Sequence, residues 1–496
     1  MNKDMSVSIP HYPSLFQINT RLWLRSLSAR YGRPITLSKV PDEDLDQLAR
    51  YGFKWIWLLG VWRTGALGQQ IARESPDLRR VYHEALPDYQ DIDICSSPFA
   101  ITAYSVSPDL GGDHSLALFR ERLQERGMQL MLDFIPNHTA RDHPWLTLHP
   151  DYYIQGNEDQ LFSQPFNYDR ALHGEKIFAF GRDPYFHGWS DTFQLNYANL
   201  QLQTAMQEEL IKVAELCDGV RCDMAMLILP EVFESTWGIE MQPFWPATIS
   251  RVHETFPDFI FVAEVYWDLE WTLQQQGFDY TYDKRLYDRL REQEARPVRE
   301  HLLAELEFQK HSVRFLENHD ELRASVTFPA QVHQAAALIT YLTPGLRFFH
   351  QGQLEGYQTR IPMQLCRSPE EFEDPQIAKI YSQLSILLKL PILQDGEWQL
   401  LECLPAWESN WTWDNFVAFS WHDSGDARFL IVVNYSPHQS QCYVRLPWGD
   451  LSGKQVEFQD EINVAEYIRR GDDIQQIGLY LDISAWGKHV FEVRII

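Results

Sequence analysis

The chain has 496 residues, of which 45% are hydrophobic, 14% aromatic and 23% charged, and its formal net charge is −26. That length exceeds one ordinary compact domain and calls for two or three, or for one large α/β barrel with attachments. The acidic excess repels phosphate backbones and anionic membrane surfaces, so nucleic acid and lipid are excluded as partners and a neutral substrate is expected.

The amino-terminal stretch "MNKDMSVSIPHYPSLFQ" has no apolar core of the kind a leader carries, and no apolar run approaches the ~20 residues a membrane helix needs. The six cysteines, Cys95, Cys217, Cys222, Cys366, Cys403 and Cys442, are scattered without a CxxC pair. Neither a zinc cluster nor a disulfide framework is indicated, and a cytoplasmic protein is expected.

Short apolar or β-branched runs ending in polar residues then recur along the chain, separated by helix-like segments. They are "LFQINTRLWL" near Phe16, "FKWIWLLG" from Phe53, "MQLMLDF" from Met128, "CDGVRCD" to Asp223, "DFIFVAEV" from Asp258, "GFDYTYD" from Gly277, "SVRFLENHD" from Ser312 and "GLRFFHQG" from Gly345. Strand and helix alternating in this way imply parallel strands with crossover helices, and eight such units close a (β/α)8 barrel. An open doubly wound sheet would instead carry a glycine-rich phosphate loop, and neither GxGxxG nor GxxxxGK[ST] occurs. A long irregular stretch follows the third strand, which reads as an inserted domain at 139–195. From about Gly396 apolar and polar residues alternate between turns, as in "NFVAFSWHD" and "ARFLIVVNYS", which predicts a C-terminal antiparallel β-sandwich over 396–496 after a barrel over 1–395.

The ends of barrel strands are where such folds keep their chemistry. Strand three ends with Asp133, Asn137 and His138; strand four with Arg221 and Asp223; strand five with Glu264; strand seven with Asn318, His319 and Asp320. Carboxylates gathered at one rim without a basic excess suit acid–base and nucleophilic chemistry on a neutral acetal, one acid protonated and another ionised. In a retaining glycosidase the two working carboxyls lie about 5 Å apart, one attacking the anomeric carbon and the other protonating the leaving oxygen.

"LDFIPNH", "GVRCDMAM", "FVAEV" and "FLENHD" occur in order and resemble the four signature regions of the α-amylase superfamily of glycoside hydrolases, a resemblance that extends over most of the chain. It implies that Asp223 is the nucleophile, Glu264 the general acid/base and Asp320 the acid that holds sugar hydroxyls in the transition state. Arg221 matches the arginine that keeps the nucleophile ionised and aimed, His138 and His319 match histidines that bind sugar hydroxyls, and Asp133 is read as a support for Arg221. "SPFAI" resembles the element that stacks an aromatic ring on the sugar, with Phe99 where the family usually has tyrosine. "YQTRIPMQL" resembles a segment of α-glucosidases and trehalose synthases, which makes Arg360 a candidate substrate ligand and points to short oligosaccharides. Two departures matter. The Lys-His pair that typically follows the nucleophile is replaced by the apolar "CDMAMLI". The family's calcium element "DLN" reads "QLN" at Gln194 to Asn196, so Asn137 lacks the acidic partner that calcium wants, and no cofactor or metal is expected.

The reading is therefore an α-retaining glycoside hydrolase acting on α-glucosidic bonds of short oligosaccharides or α-glucans. Its alternatives are a transglycosylase using the same carboxylates, such as a glucanotransferase or trehalose-synthase-like enzyme, and a non-catalytic carbohydrate-binding protein. His114 and His350 are read as structural or as supports behind the site.

Overall fold

The structure is a computed structural model describing residues 9–172 and 174–496. The start of the stretch read for a leader, residues 1–8, and His173 of the inserted segment lie outside the described residues. Among the described residues, no helix is long and apolar enough to cross a membrane.

Among the same residues, eight parallel strands close a barrel: β1 (Ser14–Asn19), β2 (Trp55–Leu59), β3 (Gln129–Phe134), β4 (Gly219–Cys222), β5 (Ile260–Ala263), β6 (Tyr280–Tyr282), β7 (Ser312–Arg314) and β8 (Leu346–His350). Their order around the barrel is β1-β8-β7-β6-β5-β4-β3-β2. Each falls on one of the eight runs read from the sequence. All five residues of β2, Trp55, Ile56, Trp57, Leu58 and Leu59, are buried, as expected of strands with side chains covered on both faces.

Every strand is shorter than the run that announces it, and two show where the run gives way. In "LFQINTRLWL" the strand ends at Asn19, whose side chain accepts from the Leu22 N–H at 3.3 Å and caps a helix over Thr20–Tyr31. In "SVRFLENHD" the ladder stops at Arg314, and Phe315 onward is irregular.

Between β3 and β4, His138–Ala140 pairs antiparallel with Thr192–Gln194, and Ile177–Ala179 lies between Gln155–Gly156 and Tyr168–Arg170. At the carboxyl end, six antiparallel strands form one sheet and three more form a second. One apolar cluster draws on both, with Phe416, Leu430, Val432, Phe458 and Phe491 from the first and Cys442, Val444, Leu481 and Ile483 from the second. Leu479–Ile483 alternates buried and exposed residues, the pattern of a strand with one solvated face. Contacts divide the described chain into two compact units: Leu15–Tyr282 with Thr359–Glu370, and residues 9–14 with Asp283–Gln358 and Glu371–Ile496.

Candidate active site

In the first unit, the parallel register sets Arg221 of β4 beside Asp133 of β3 on one side and Val262 of β5 on the other. Each strand end is tied back to its neighbour: the Asp223 N–H donates to Phe134 O at 2.8 Å, and the Glu264 N–H to Cys222 O at 3.1 Å. The carboxylates just beyond the strands thus gather around the Arg221 guanidinium, which is 1% exposed.

Arg221 Nη1 lies 2.7 Å from Asp223 Oδ1 and 3.4 Å from Asp133 Oδ1, while Nη2 lies 2.7 Å from Glu264 Oε2. A planar guanidinium offers fixed parallel donors, so one side chain sets the position of three acids. The rings of Trp57 and Phe99 each have their centroid 5.3 Å from the guanidinium carbon, shielding it with π faces. Burial works against the Arg221 charge, but Glu264, Tyr282, Asp223 and Asp133 together outweigh it and hold the guanidinium firmly protonated.

Glu264 has two further donors. The Met224 N–H reaches its Oε2 at 2.8 Å and the Tyr266 hydroxyl its Oε1 at 2.9 Å. Met224 delivers that N–H from a left-handed conformation, φ 44°, a strained state for a residue with a side chain, of the kind that clusters at working sites. Asp133 is served from the turn after β2, where Gly60 adopts φ +81° and donates its N–H to Oδ2 at 3.3 Å. A side chain at Gly60 would meet Pro98 Cβ at 2.9 Å, so the turn requires glycine. Burial pushes Asp133 up to about 7, Arg221 opposing and Asp223 adding to the rise.

His138 is buried and pushed down to about 4 by that burial, which keeps it neutral near pH 7. Its ring centroid lies 5.1 Å from that of Trp189. Asn137 is buried with its Oδ1 accepting from Gln194 Nε2 at 2.9 Å. The position resembling a calcium site is therefore held by two amides bonded to one another. This donor set does not fit the ion, which wants several anionic or free carbonyl oxygens. Arg360 is exposed on the segment after β8.

Asp320 and His319 belong to the second unit. There Asn318 Oδ1 accepts both the Asp320 and Glu321 N–H groups at 2.9 Å, which turns the chain immediately after β7. His319 is buried, and its Nε2 lies 3.1 Å from Asp320 Oδ2, whose side chain is 50% exposed. Beneath the turn, buried Glu317 pairs with Arg323 at 2.8 Å and accepts the Ala324 N–H at 2.7 Å. Sequence reasoning passed over Tyr266, Met224 and Glu317. Tyr266 had a signal, a phenol two residues beyond a strand-end glutamate, whereas the contribution of Met224 is a backbone N–H with no side-chain signature.

A parallel eight-stranded barrel with buried carboxylates clustered at its strand ends defines a class of proteins whose chemistry sits on that rim. A family model described as the α-amylase catalytic domain matches residues 98–380. The chain belongs to the α-amylase family. Relatives include α-amylase 3 of Dictyoglomus thermophilum, 24% identical over 309 residues covering 56% of this chain and 57% of that one. A trehalose synthase of Pimelobacter is 26% identical over 153 residues, 26% of each chain. The chain thus spans little more than half the length of the amylase it matches. Among solved structures, the noncanonic maltogenic α-amylase AmyB from Thermotoga neapolitana superposes with a TM-score of 0.69 at 18% identity, covering 97% of this chain and 98% of that one, a likeness of fold.

Proposed function

We propose that this protein is an α-retaining glycoside hydrolase that cleaves α-glucosidic bonds of short oligosaccharides or α-glucans by double displacement. The proposed organisation is a barrel over 1–395, an inserted domain at 139–195 and a β-sandwich over 396–496. The observation that carries the reading is the sharing of the Arg221 fork by Asp223 and Glu264. Two carboxylates held by one guanidinium suit the short separation of a retaining pair rather than the wider one that admits a water.

In this mechanism Asp223, kept charged by Arg221, attacks the anomeric carbon while Glu264 gives a proton to the departing oxygen. Glu264 then removes a proton from the incoming water as the glycosyl–Asp223 bond breaks. Asp320 is assigned the hydroxyl-binding role, and His138, His319, Phe99 and Arg360 substrate contacts, on the resemblance of their motifs. The likeness to a trehalose synthase supports a second reading in which a sugar rather than water accepts the glycosyl group. A cytoplasmic location belongs to the proposal, supported by six cysteines scattered without a CxxC pair, and cell fractionation checks it.

The test is to supply maltose, trehalose, sucrose and maltooligosaccharides and follow products and anomers by NMR. The α-anomer should appear first, and Asp223→Asn and Glu264→Gln should each lower kcat by roughly 10²–10⁴-fold. Direct release of β-sugar refutes retention. No turnover, with both variants indistinguishable from wild type, sinks the enzymatic reading, and an isomeric disaccharide as main product favours the transferase. No metal is part of the mechanism: a strong chelator should move Tm by less than about 2 °C, whereas loss of a bound stabilising ion would lower it further.

A further inference from the structure

Four of the six cysteines are buried, but Cys95 and Cys366 are only partly so, and they meet in the first unit. They flank an isolated antiparallel bridge between Ile94 and Leu365, held by Cys95 N–H to Gln364 O at 2.8 Å and Cys366 N–H to Asp93 O at 2.9 Å. In that register the two cysteines are diagonal neighbours on one face, with the Cys95 thiol donating to Gln364 O at 3.2 Å and the Cys366 thiol facing Ile92 O at 3.8 Å.

Each sulfur also faces a cation. Arg21 Nη1 lies 3.2 Å from Cys95 Sγ and is fixed there by its 2.6 Å bond to Ser96 O. Arg25 Nη1 lies 2.9 Å from Cys366 Sγ, with its Nη2 2.6 Å from Asp93 Oδ1.

The molecule contains its own control. Cys403 and Cys442 are likewise diagonal neighbours on paired antiparallel strands, but they are 4% and 0% exposed within the apolar core of the sandwich. Among the described residues no guanidinium is bonded to either sulfur. Cys442 is pushed up by its neighbour Cys403 and by burial, and Cys217 and Cys222 are pushed up by burial. Cys366 is pushed up by its neighbour Cys95 and by burial, whereas Cys95 goes down, because the neighbouring Cys366 thiol and the Arg21 charge favour its thiolate against the pull of burial. A partly accessible thiolate beside a cation and a second thiol is the arrangement that reacts with oxidants.

We propose that Cys95 and Cys366 are a peroxide-reactive dithiol, with Cys95 the attacking thiolate and Cys366 the resolving thiol. The Cys95 sulfur attacks one oxygen of a hydroperoxide and the O–O bond breaks. Cys95 becomes a sulfenic acid, and the other oxygen leaves as an alcohol, or as water from hydrogen peroxide, carrying the proton of the thiol. Cys366 sulfur then attacks the sulfenic sulfur, the S–S bond forms, the S–O bond breaks, and water leaves with the Cys366 proton. The two thiols lose two electrons and the peroxide gains them. The resulting bond ties the stretch leading into Phe99 to the stretch that follows Arg360.

The experiment treats the reduced whole protein with a small excess of hydrogen peroxide, blocks remaining thiols with iodoacetamide and maps peptides by mass spectrometry without reduction. The expected first product is a Cys95–Cys366 linked peptide that dithiothreitol reverses, with Cys403 and Cys442 unlinked. In Cys366→Ser the reaction should stop at a Cys95 sulfenic acid trapped by dimedone, and Arg21→Met should slow Cys95 modification by about three- to tenfold. The proposal is overturned if Cys95 reacts no faster than Cys217, if Cys403–Cys442 links first, or if the Arg21 change leaves the rate unaltered. The wild-type peptide map decides the linkage even where a variant fails to fold.

Discussion

Asp133 sits 2% exposed beside Arg221 and is nonetheless pushed up to about 7 by burial, Arg221 only partly offsetting the effect. In the unfolded chain such a group titrates near 3.8. Between those values the folded state holds a proton that the unfolded state has lost, so the contribution of Asp133 to stability is full below about pH 4 and is lost as pH rises to about 7. His138, pushed down to about 4, works in the opposite sense, since its unfolded form takes up a proton as pH falls below about 6.5. The two slopes partly cancel in a raw melting curve. The difference between wild type and Asp133→Asn isolates the first: the wild-type advantage should shrink from pH 4 to pH 7 by up to about 4 kcal/mol. Melting both proteins across that range checks it, and a flat difference would show that Asp133 is ionised throughout. The acids of this cluster were legible in the sequence because charged residues closing apolar runs are conspicuous. Their mutual arrangement was not, since it depends on the register of β3, β4 and β5, which places Glu264 as well as Asp223 on Arg221.

The turn after β7 shows what a motif leaves out. "ENHD" was read for Asn318, His319 and Asp320, but Glu317 fastens the turn, with one oxygen on Arg323 and the other on the Ala324 N–H. Arg323 in turn donates to Gln351 O at 3.0 Å and to Tyr357 O at 3.3 Å, so the pair joins the β7 end to the segment after β8. Burial pushes Glu317 up to about 7 against the pull of Arg323, so above that pH, where the pair is charged, Glu317→Gln removes the carboxylate facing a buried guanidinium, a change that costs up to about 3–5 kcal/mol. A second change, Arg323→Met, should recover part of that loss, and denaturant titration of the two singles and the double measures the coupling. Additive effects would mean that the ion pair does not hold the turn. The strands were legible as elements because their buried apolar runs stand out, while their ends were less so. β1 gives way to a helix where the Asn19 cap prevails over the apolar run. β7 is three residues long and contains Arg314, fully buried and satisfied by Pro344 O at 2.9 Å and by an ion pair with Asp283. A buried arginine with partners thirty residues away has no local signature.

At the scale of the whole molecule, acidic residues outnumber basic ones 69 to 43. The eightfold alternation and the change to period two near residue 396 were legible because they repeat, whereas the small sheets between β3 and β4 rest on strands of two or three residues, too short for any periodicity to register. The charge excess has its own consequence for stability. Like charges spread over a folded surface repel, and added salt screens them, the Debye length falling from about 10 Å at 0.1 M to about 3 Å at 1 M. Salt also weakens exposed ion pairs such as Asp42 with Arg122 and Arg126, at 2.9 and 2.7 Å, but pairs of that kind contribute only about 0–1 kcal/mol each. With a formal charge of −26 the repulsion is the larger quantity. Sodium chloride raised from about 0.02 to 0.5 M should therefore increase Tm by a few degrees. Over the same range kcat/KM on a neutral glucoside should change by less than about twofold, because no long-range field steers an uncharged substrate. Chloride separates this screening from the surface-exclusion effect of sulfate. A fall in Tm would mean that the exposed pairs outweigh the repulsion, and a strong salt dependence of kcat/KM would mean that the substrate carries charge.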